Sequence, residues 1–254
     1  AQMTAFSAPL GIAMGAAVNT FMDFDATLTE ISARTGTVGA DLEMIGDTAK
    51  QMGADTVFSS QQVLDAFLDL TTSGESVTNA LEMLDEVTDL AAAGNIELGQ
   101  SADLVTDILA MFQMEADQSR EVVDSLVKAA GSSSASVDQF GQAIANVGPV
   151  AAQMGLDVDD TNAILALFAE NSLKGSEAGT QLKSMLLNMV RPVDGVQAQW
   201  EALGISLYDA QGDMRDINTI FEEMNTVMAD LPAKEQNEAM QTLFGSYGII
   251  GGQI

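Results

Sequence analysis

Few residues of this chain have the type and spacing needed for covalent chemistry. The sequence contains no histidine and no cysteine, which excludes imidazole and thiolate catalysis and most zinc sites. Ser125-Leu126-Val127-Lys128 matches the Ser-x-x-Lys motif of penicillin-recognising enzymes. Those enzymes also need Ser-Asp-Asn and Lys-Thr-Gly elements, and the sequence has neither. We therefore interpret the match as an ordinary stretch of amphipathic helix.

The acidic residues are the other candidates for chemistry. Asp23-Phe24-Asp25 and Asp157-Val158-Asp159-Asp160 resemble the opening of a calcium loop, but both lack the glycine and the glutamate required at the sixth and twelfth positions. Paired carboxylates could hydrolyse a glycoside, yet one Trp and two Tyr offer little surface for stacking a sugar. We predict that the chain is not an enzyme and that it has no cofactor and no metal site.

Charge restricts the partners of the chain. Its 37 acidic and 9 basic residues give a net charge of -28. Phosphate backbones and anionic lipid head groups are bound by clustered Lys and Arg, which this sequence lacks. We therefore predict no direct binding of nucleic acid. The excess of acids over lysines also fits a protein that works in high salt, and an ordinary acidic protein is the alternative.

Hydrophobic periodicity predicts a succession of helices of about 12 to 20 residues, separated by short Gly, Ser and Asp turns. Capping-box patterns at Ser59, Ser136 and Asp157 mark three helix starts. We predict a mainly α fold, either a multi-helix bundle or folded-back helices, with one small β-hairpin near 204–215. Several glycines lie about 20 residues apart, and we interpret this spacing as ordinary helix length.

The predicted domain organisation has two parts. Residues 1–35 form an N-terminal helix that links to an upstream region, and residues 36–254 form a helical core domain with a hinge at 131–135. Residues 1–22 carry no charge. A membrane-inserting role for this uncharged segment therefore stays open as an alternative to packing against neighbouring helices.

The most informative segment offers packing rather than chemistry. Gly-Ser-Glu-Ala-Gly-Thr, residues 175–180, is predicted to be a turn of small residues that leads into an apolar helix ending before a proline. Small residues let two backbones approach closely. Together with a second small-residue site, the predicted structural packing motif comprises Gly175, Ser176, Ala178, Gly179, Thr180, Leu182, Gly148 and Pro149.

Several blocks in sequence order resemble the conserved core region of phage tail tape measure proteins. They are residues 49–59, 87–93, 146–155, 175–187, 203–212 and 243–245. The 175–187 block is similar to the family's GS-x-AGT-x-L signature, and 146–155 is similar to its VGPVA block. The chain departs from the family at Lys183, where arginine is common, and in its strong acidity.

The resemblance implies a structural virion component of a long-tailed virus. Such a protein sets tail length, occupies the lumen of the tail tube and is released during genome ejection. Its implied partners are other tape measure copies, in a homotrimer, and the tail tube and tail-tip or baseplate proteins. Its implied location is the tail lumen or tip, and the host cytoplasm during assembly.

Two other functions stay open. One is a membrane-active segment that aids a DNA-delivery channel in the host envelope, with membrane contact during ejection only. The other is a muralytic glycosidase of the kind sometimes fused to tape measure proteins.

The high-salt hypothesis predicts that helicity depends on ionic strength. At a net charge of -28, self-repulsion is screened only when the Debye length falls to roughly 3 Å near molar salt. We expect helicity, measured by circular dichroism, to rise between low and molar NaCl. A helicity that stays the same over this range would exclude the hypothesis.

Overall fold

A computed structural model describes residues 22–191, 193–212 and 214–245, so the prediction of a membrane-inserting segment at 1–22 falls almost wholly outside the described residues. The mainly α prediction is confirmed. The described part of helix α1 covers residues 22–35. The helices that follow are α2 Ala40–Asp55, α3 Ser60–Thr72, α4 Val77–Gly94, α5 Leu98–Phe112, α6 Ser119–Ser132, α7 Val137–Gln153, α8 Val158–Glu170, α9 Gly175–Met189, α10 Asp194–Leu203, α11 Ile217–Ala229 and α12 Ala233–Phe244.

The three predicted capping boxes start α3, α7 and α8. The Ser59 hydroxyl accepts a hydrogen bond from the third helical N–H at 3.3 Å, and the Gln62 side chain accepts one from the Ser59 N–H at 2.9 Å. Ser136 and Asp157 make the same reciprocal bonds. Because a helix leaves its first N–H groups without partners, these residues fix where each helix begins.

The predicted β-hairpin is reduced to a single antiparallel bridge. Tyr208 and Met214 form this bridge, and no strand occurs among the described residues. The Arg215 N–H donates to the Leu207 carbonyl at 2.9 Å. A two-stranded ribbon is marginal on its own, so the turn at 209–212 is retained without the flanking strands.

The described chain divides into two units. The first extends to Thr106 and includes Glu115–Arg120, and the second comprises Asp107–Met114 and the residues from Glu121 onward. Each unit has its own apolar core, with Phe67 and Met83 fully buried in the first and Phe140 and Phe244 in the second. The predicted boundary at 35/36 and the predicted hinge at 131–135 stay predictions.

Helix starts and turns recur about 60 residues apart along the middle of the chain. The serine side chains that cap α4 and α7 are 60 residues apart, and so are the left-handed residues that end these two helices. The left-handed residues after α5 and α8 are 59 apart. The recurrence concerns these cap and turn positions and not the packing, since α7, α8 and α9 contact one another more extensively than α4, α5 and α6 do. The three pairs are Ser76 and Ser136, Asn95 and Gly155, and Gln113 and Ser172.

Three aspartates meet between α3 and α5 in the first unit. Burial, and then the charges of Asp103 and Asp65, raise the pKa of Asp69 above its ordinary value of 3.8. Gly99 leaves room for this carboxylate, because a Cβ there would lie 2.7 Å from Asp69 Oδ2. A raised carboxyl pKa means that the folded chain disfavours the charged form. The charge therefore lowers stability above the folded pKa, and the penalty is relieved as the pH falls through that pKa.

We expect Asp69→Asn to stabilise the chain at neutral pH, because it removes the disfavoured charge. The gain in the free energy of unfolding should be below about 1 kcal/mol, since the side chain is partly exposed and solvent screens it. It should shrink as the pH falls through the folded pKa and vanish below 3.8. Urea titrations at several pH values measure it. Asp89→Asn, at an exposed position of α4, controls for the change in net charge, and an equal gain in both variants would contradict the expectation.

Candidate functional site: the crossing of α7 and α9

Helices α7 and α9 share the most extensive contact of any described pair of helices. At its centre Gly179 of α9 lies directly against the backbone of Ala143 of α7. A Cβ on Gly179 would collide with the Ala143 carbonyl oxygen and would lie 2.8 Å from its Cα. Ala143 of α7 and Ala178 of α9 are themselves small and buried. The two helices therefore meet backbone to backbone, which only small residues permit.

The predicted turn at residues 175–180 is wrong in its local structure. Helix α9 begins at Gly175, so all six residues are helical. Glycine disfavours helix interiors by propensity, but here tertiary packing overrides that preference. Gly175 has a φ of 60°, and a Cβ there would lie 3.0 Å from Gln142 Oε1 of α7. Gly175 therefore permits the left-handed backbone at the start of α9 and also leaves room for the Gln142 side chain of α7.

The motif residues divide between two sides of α9. Gly175, Ala178, Gly179 and Leu182 are buried, whereas Ser176 and Thr180 are exposed. The Thr180 hydroxyl donates to the Ser176 carbonyl at 2.7 Å. This bond satisfies the hydroxyl within its own helix, which is a common arrangement for threonine inside helices.

Gly148 and Pro149 both lie inside α7. Gly148 is buried, and a Cβ there would lie 2.7 Å from Met111 Sδ and 3.3 Å from Ile144 Cγ2. Its close neighbour from another helix is thus on α5 rather than α9. Pro149 is exposed. Gly148 of α7 therefore meets α5, whereas Gly175 and Gly179 of α9 meet other residues of α7.

Polar bonds fix the start of α9 against the loop before α7. The Lys174 ammonium donates to the Ser134 carbonyl at 2.6 Å. The Ser134 hydroxyl donates in turn to the Ala169 carbonyl near the end of α8, at 3.0 Å. The two loops that precede the crossing helices are therefore joined directly.

The apolar stripe of α9 supports the last helices of the chain. Leu182, Leu186 and Met189 are fully buried. The Met189 carbonyl accepts a hydrogen bond from Trp200 Nε1 at 3.0 Å, and the Trp200 ring meets Phe244 edge to face at 6.3 Å. Because a buried indole N–H needs a partner, the end of α9 positions α10 and, through Trp200, α12.

A cavity of about 510 Å³ lies beside α11. Arg215 donates to both oxygens of Glu223, at 2.6 and 3.0 Å, and to the Ser206 carbonyl at 2.7 Å. The hydrogen bond from Arg215 is the main reason why the pKa of Glu223 is lowered. These charged groups satisfy one another, so they offer a structural clamp rather than a reactive group.

Sequence reasoning missed the α7 side of the crossing. Gly141 and Gly148 are both buried in this helix and lie seven residues apart, two helical turns, so they share one face. That spacing was visible in the sequence. What it could not reveal was the partner of each position, since Ala143 meets Gly179 of α9 and Gly148 meets Met111 of α5.

The described part of the chain offers little that could serve as another site. No group of three or more acidic residues there could hold a metal ion. No helix among the described residues is long and apolar enough to cross a membrane. The fold and its closest helix contact together define a mainly α protein that is organised by helix packing.

Comparisons with known proteins give the family. Residues 46–245 match the phage-related minor tail protein family, and the chain belongs to it. It is 29% identical over 248 residues to the tape measure protein of Pneumococcus phage Dp-1, a match that covers 98% of this chain and 22% of the relative. It is 26% identical over 228 residues to the probable tape measure protein of Escherichia phage P2, covering 88% of this chain and 28% of the relative.

These matches confirm the resemblance to phage tail tape measure proteins and place the chain among virion tail components. The chain spans about a quarter of the length of these relatives. No solved structure matches it significantly.

The close crossing of α7 and α9 predicts that a glycine-to-alanine substitution changes the free energy of unfolding very differently at two positions. Gly179→Ala should lower the free energy of unfolding by about 3 kcal/mol or more, because the added methyl meets backbone that cannot move aside. Gly131→Ala, at an exposed position within α6 with nothing within 4 Å of its Cβ, should be neutral or stabilise by up to about 1 kcal/mol.

Urea titration followed by Trp200 fluorescence measures both variants. Trp200 is the one tryptophan of the chain and is 4% exposed in the second unit, so its emission reports the unfolding of that unit. Equal stabilities of the two variants would contradict the close approach of α7 and α9.

Proposed function

We propose that this chain is the folded helical core of a tape measure protein, within a longer protein that sets tail length, occupies the lumen of the tail tube and leaves it during genome ejection. The observation that carries the proposal is the similarity to the Dp-1 tape measure protein over 98% of this chain. The mainly α fold and the close packing of its helices support it.

Within that longer protein, this segment serves as an assembly module rather than as the ruler. An extended α-helix converts residue number into length at 1.5 Å per residue. Here the described helices that have both ends defined contain between 10 and 18 residues, and α7 and α9 fold back against each other. A compact arrangement of this kind adds little length, so we assign measurement to helices outside this chain.

The partners we propose are other tape measure copies, in a homotrimer, and proteins of the tail tube and tail tip. We propose the tail lumen or tip as its place in the virion, and the host cytoplasm during assembly. A net charge of -28 supports a role beside DNA without binding it, because the acidic surface repels the phosphates that pass through the tail.

The number and length of tails in the virus that encodes this chain distinguish an assembly module from a ruler. An in-frame deletion of about 100 residues from an extended helical region outside this segment should shorten the tail by about 150 Å. Gly179→Leu should instead reduce the number of tails and leave the length of the surviving tails unchanged, because it disrupts the fold of the module. Electron microscopy of negatively stained particles measures both quantities.

Gly131→Ala in the same virus is the matched control and should give normal tails. Tails of normal number and length with Gly179→Leu would overturn the assembly role. Unchanged length after the external deletion would overturn the assignment of the ruler.

A further inference from the structure

The exposed face of α7 carries no charge, although the chain has 37 acidic residues. The exposed residues of this 17-residue helix are Gln142, Ala145, Pro149 and Gln153. Its one carboxylate, Asp138, lies in the first turn and is half-buried. Surface helices ordinarily place charged and polar residues on the side that faces solvent. An acidic chain that leaves carboxylates off a whole helix face therefore indicates a contact that does not tolerate negative charge.

Helix α9 continues this surface within the second unit. Its exposed residues include one carboxylate and one ammonium, and they are Ser176, Glu177, Thr180, Lys183 and Leu187. Leu187 is 47% exposed, which is high for a large apolar side chain. Gln142 Oε1 lies 3.0 Å from the place that a Cβ on Gly175 would take, and Gly175 directly precedes Ser176. The exposed faces of α7 and α9 therefore adjoin, and their exposed residues together are called the neutral surface.

A neutral surface on an acidic chain suits a partner that is itself acidic. A basic partner gains most where carboxylates are dense, so it has no need of a surface that lacks them. Two copies of this chain each carry a charge of -28, and like charges that meet across an interface cost several kcal/mol. The cores of protein interfaces are also depleted in Asp, Glu and Lys. Copies of this chain can therefore approach each other at the lowest electrostatic cost through the neutral surface.

The two charges of the neutral surface are complementary between copies. Lys183 forms no ion pair among the described residues, although carboxylates far outnumber cations. The Glu177 carboxylate accepts an N–H of the Gln181 amide at 3.1 Å, which leaves acceptor sites available. Glu177 and Lys183 lie six residues apart along α9, about 9 Å. When α9 helices of two copies lie side by side, Glu177 of one can pair with Lys183 of the other, as flanking charges do in coiled coils.

We propose that copies of this chain pack on one another through the neutral surface, with Glu177 of one copy paired to Lys183 of the next. This assigns a surface and a charge pair to the self-association of the proposed function, on which the inference rests. Leu187 supplies an apolar contact beside the charge pair. The close crossing of α7 and α9 holds the two exposed faces in one surface.

Sedimentation velocity of the whole chain over a series of concentrations tests the association. We expect the average mass to rise reversibly with concentration above the mass of one chain. A mass of one chain at every concentration up to the solubility limit would overturn the proposal and leave a different protein as the occupant of the neutral surface.

Charge reversal tests the pairing of Glu177 with Lys183. Glu177→Lys and Lys183→Glu should each weaken association several-fold, because each places like charges together. The variant with both reversals should associate as the natural chain does, since it restores opposite charges at the same net charge. Glu177→Lys is decisive, because it makes the chain less negative and general repulsion alone would predict stronger association. Stronger association of that variant, or no recovery in the double variant, would overturn the proposal.

Ala145→Glu places one carboxylate on the α7 part of the neutral surface and should weaken association at least tenfold. Ala92→Glu, at an exposed position of α4 in the first unit, changes the net charge equally and should leave association nearly unchanged. Circular dichroism should show the natural helicity in both variants, since both positions are exposed. Equal association of the two variants would overturn the proposal. None of these measurements depends on tail number or length, so failure here is separate from failure of the proposed assembly role.

Discussion

The second unit depends on one contact, the backbone approach of α7 and α9 at Ala143 and Gly179. Protein interiors are packed as densely as organic crystals, so a backbone contact leaves no freedom for even one methyl group. Helices that meet this closely gain dispersion contacts along their length. Leu182 and Leu186 of α9 are fully buried side chains. The position of α9 is thereby fixed, and with it the carbonyl of Met189 that receives the Trp200 indole.

A chain with a charge of -28 has to hold this core together against its own repulsion. Most ion pairs of the described residues join side chains that are close in sequence. Three ion pairs each join two residues of a single helix: Arg34–Glu30 in α1, Lys50–Asp47 in α2 and Lys234–Glu238 in α12. Exposed pairs of this kind contribute little to stability. Stability therefore comes from apolar burial and capping. Where carboxylates approach each other, as around Asp69, the protein retains an electrostatic cost.

The sequence by itself determined the helical class, the capped starts at Ser59, Ser136 and Asp157, and the family. These features depend on periodicity, on side chains that bond their own backbone and on blocks of residues, all of which are local in the chain. The tertiary structure alone decided that residues 175–180 are helix rather than turn, and that 204–215 forms one bridge rather than a hairpin. It also decided that Gly179 faces Ala143. The physical reason is that the local preferences of a short segment are small beside its tertiary contacts, so a partner distant in sequence determines its conformation.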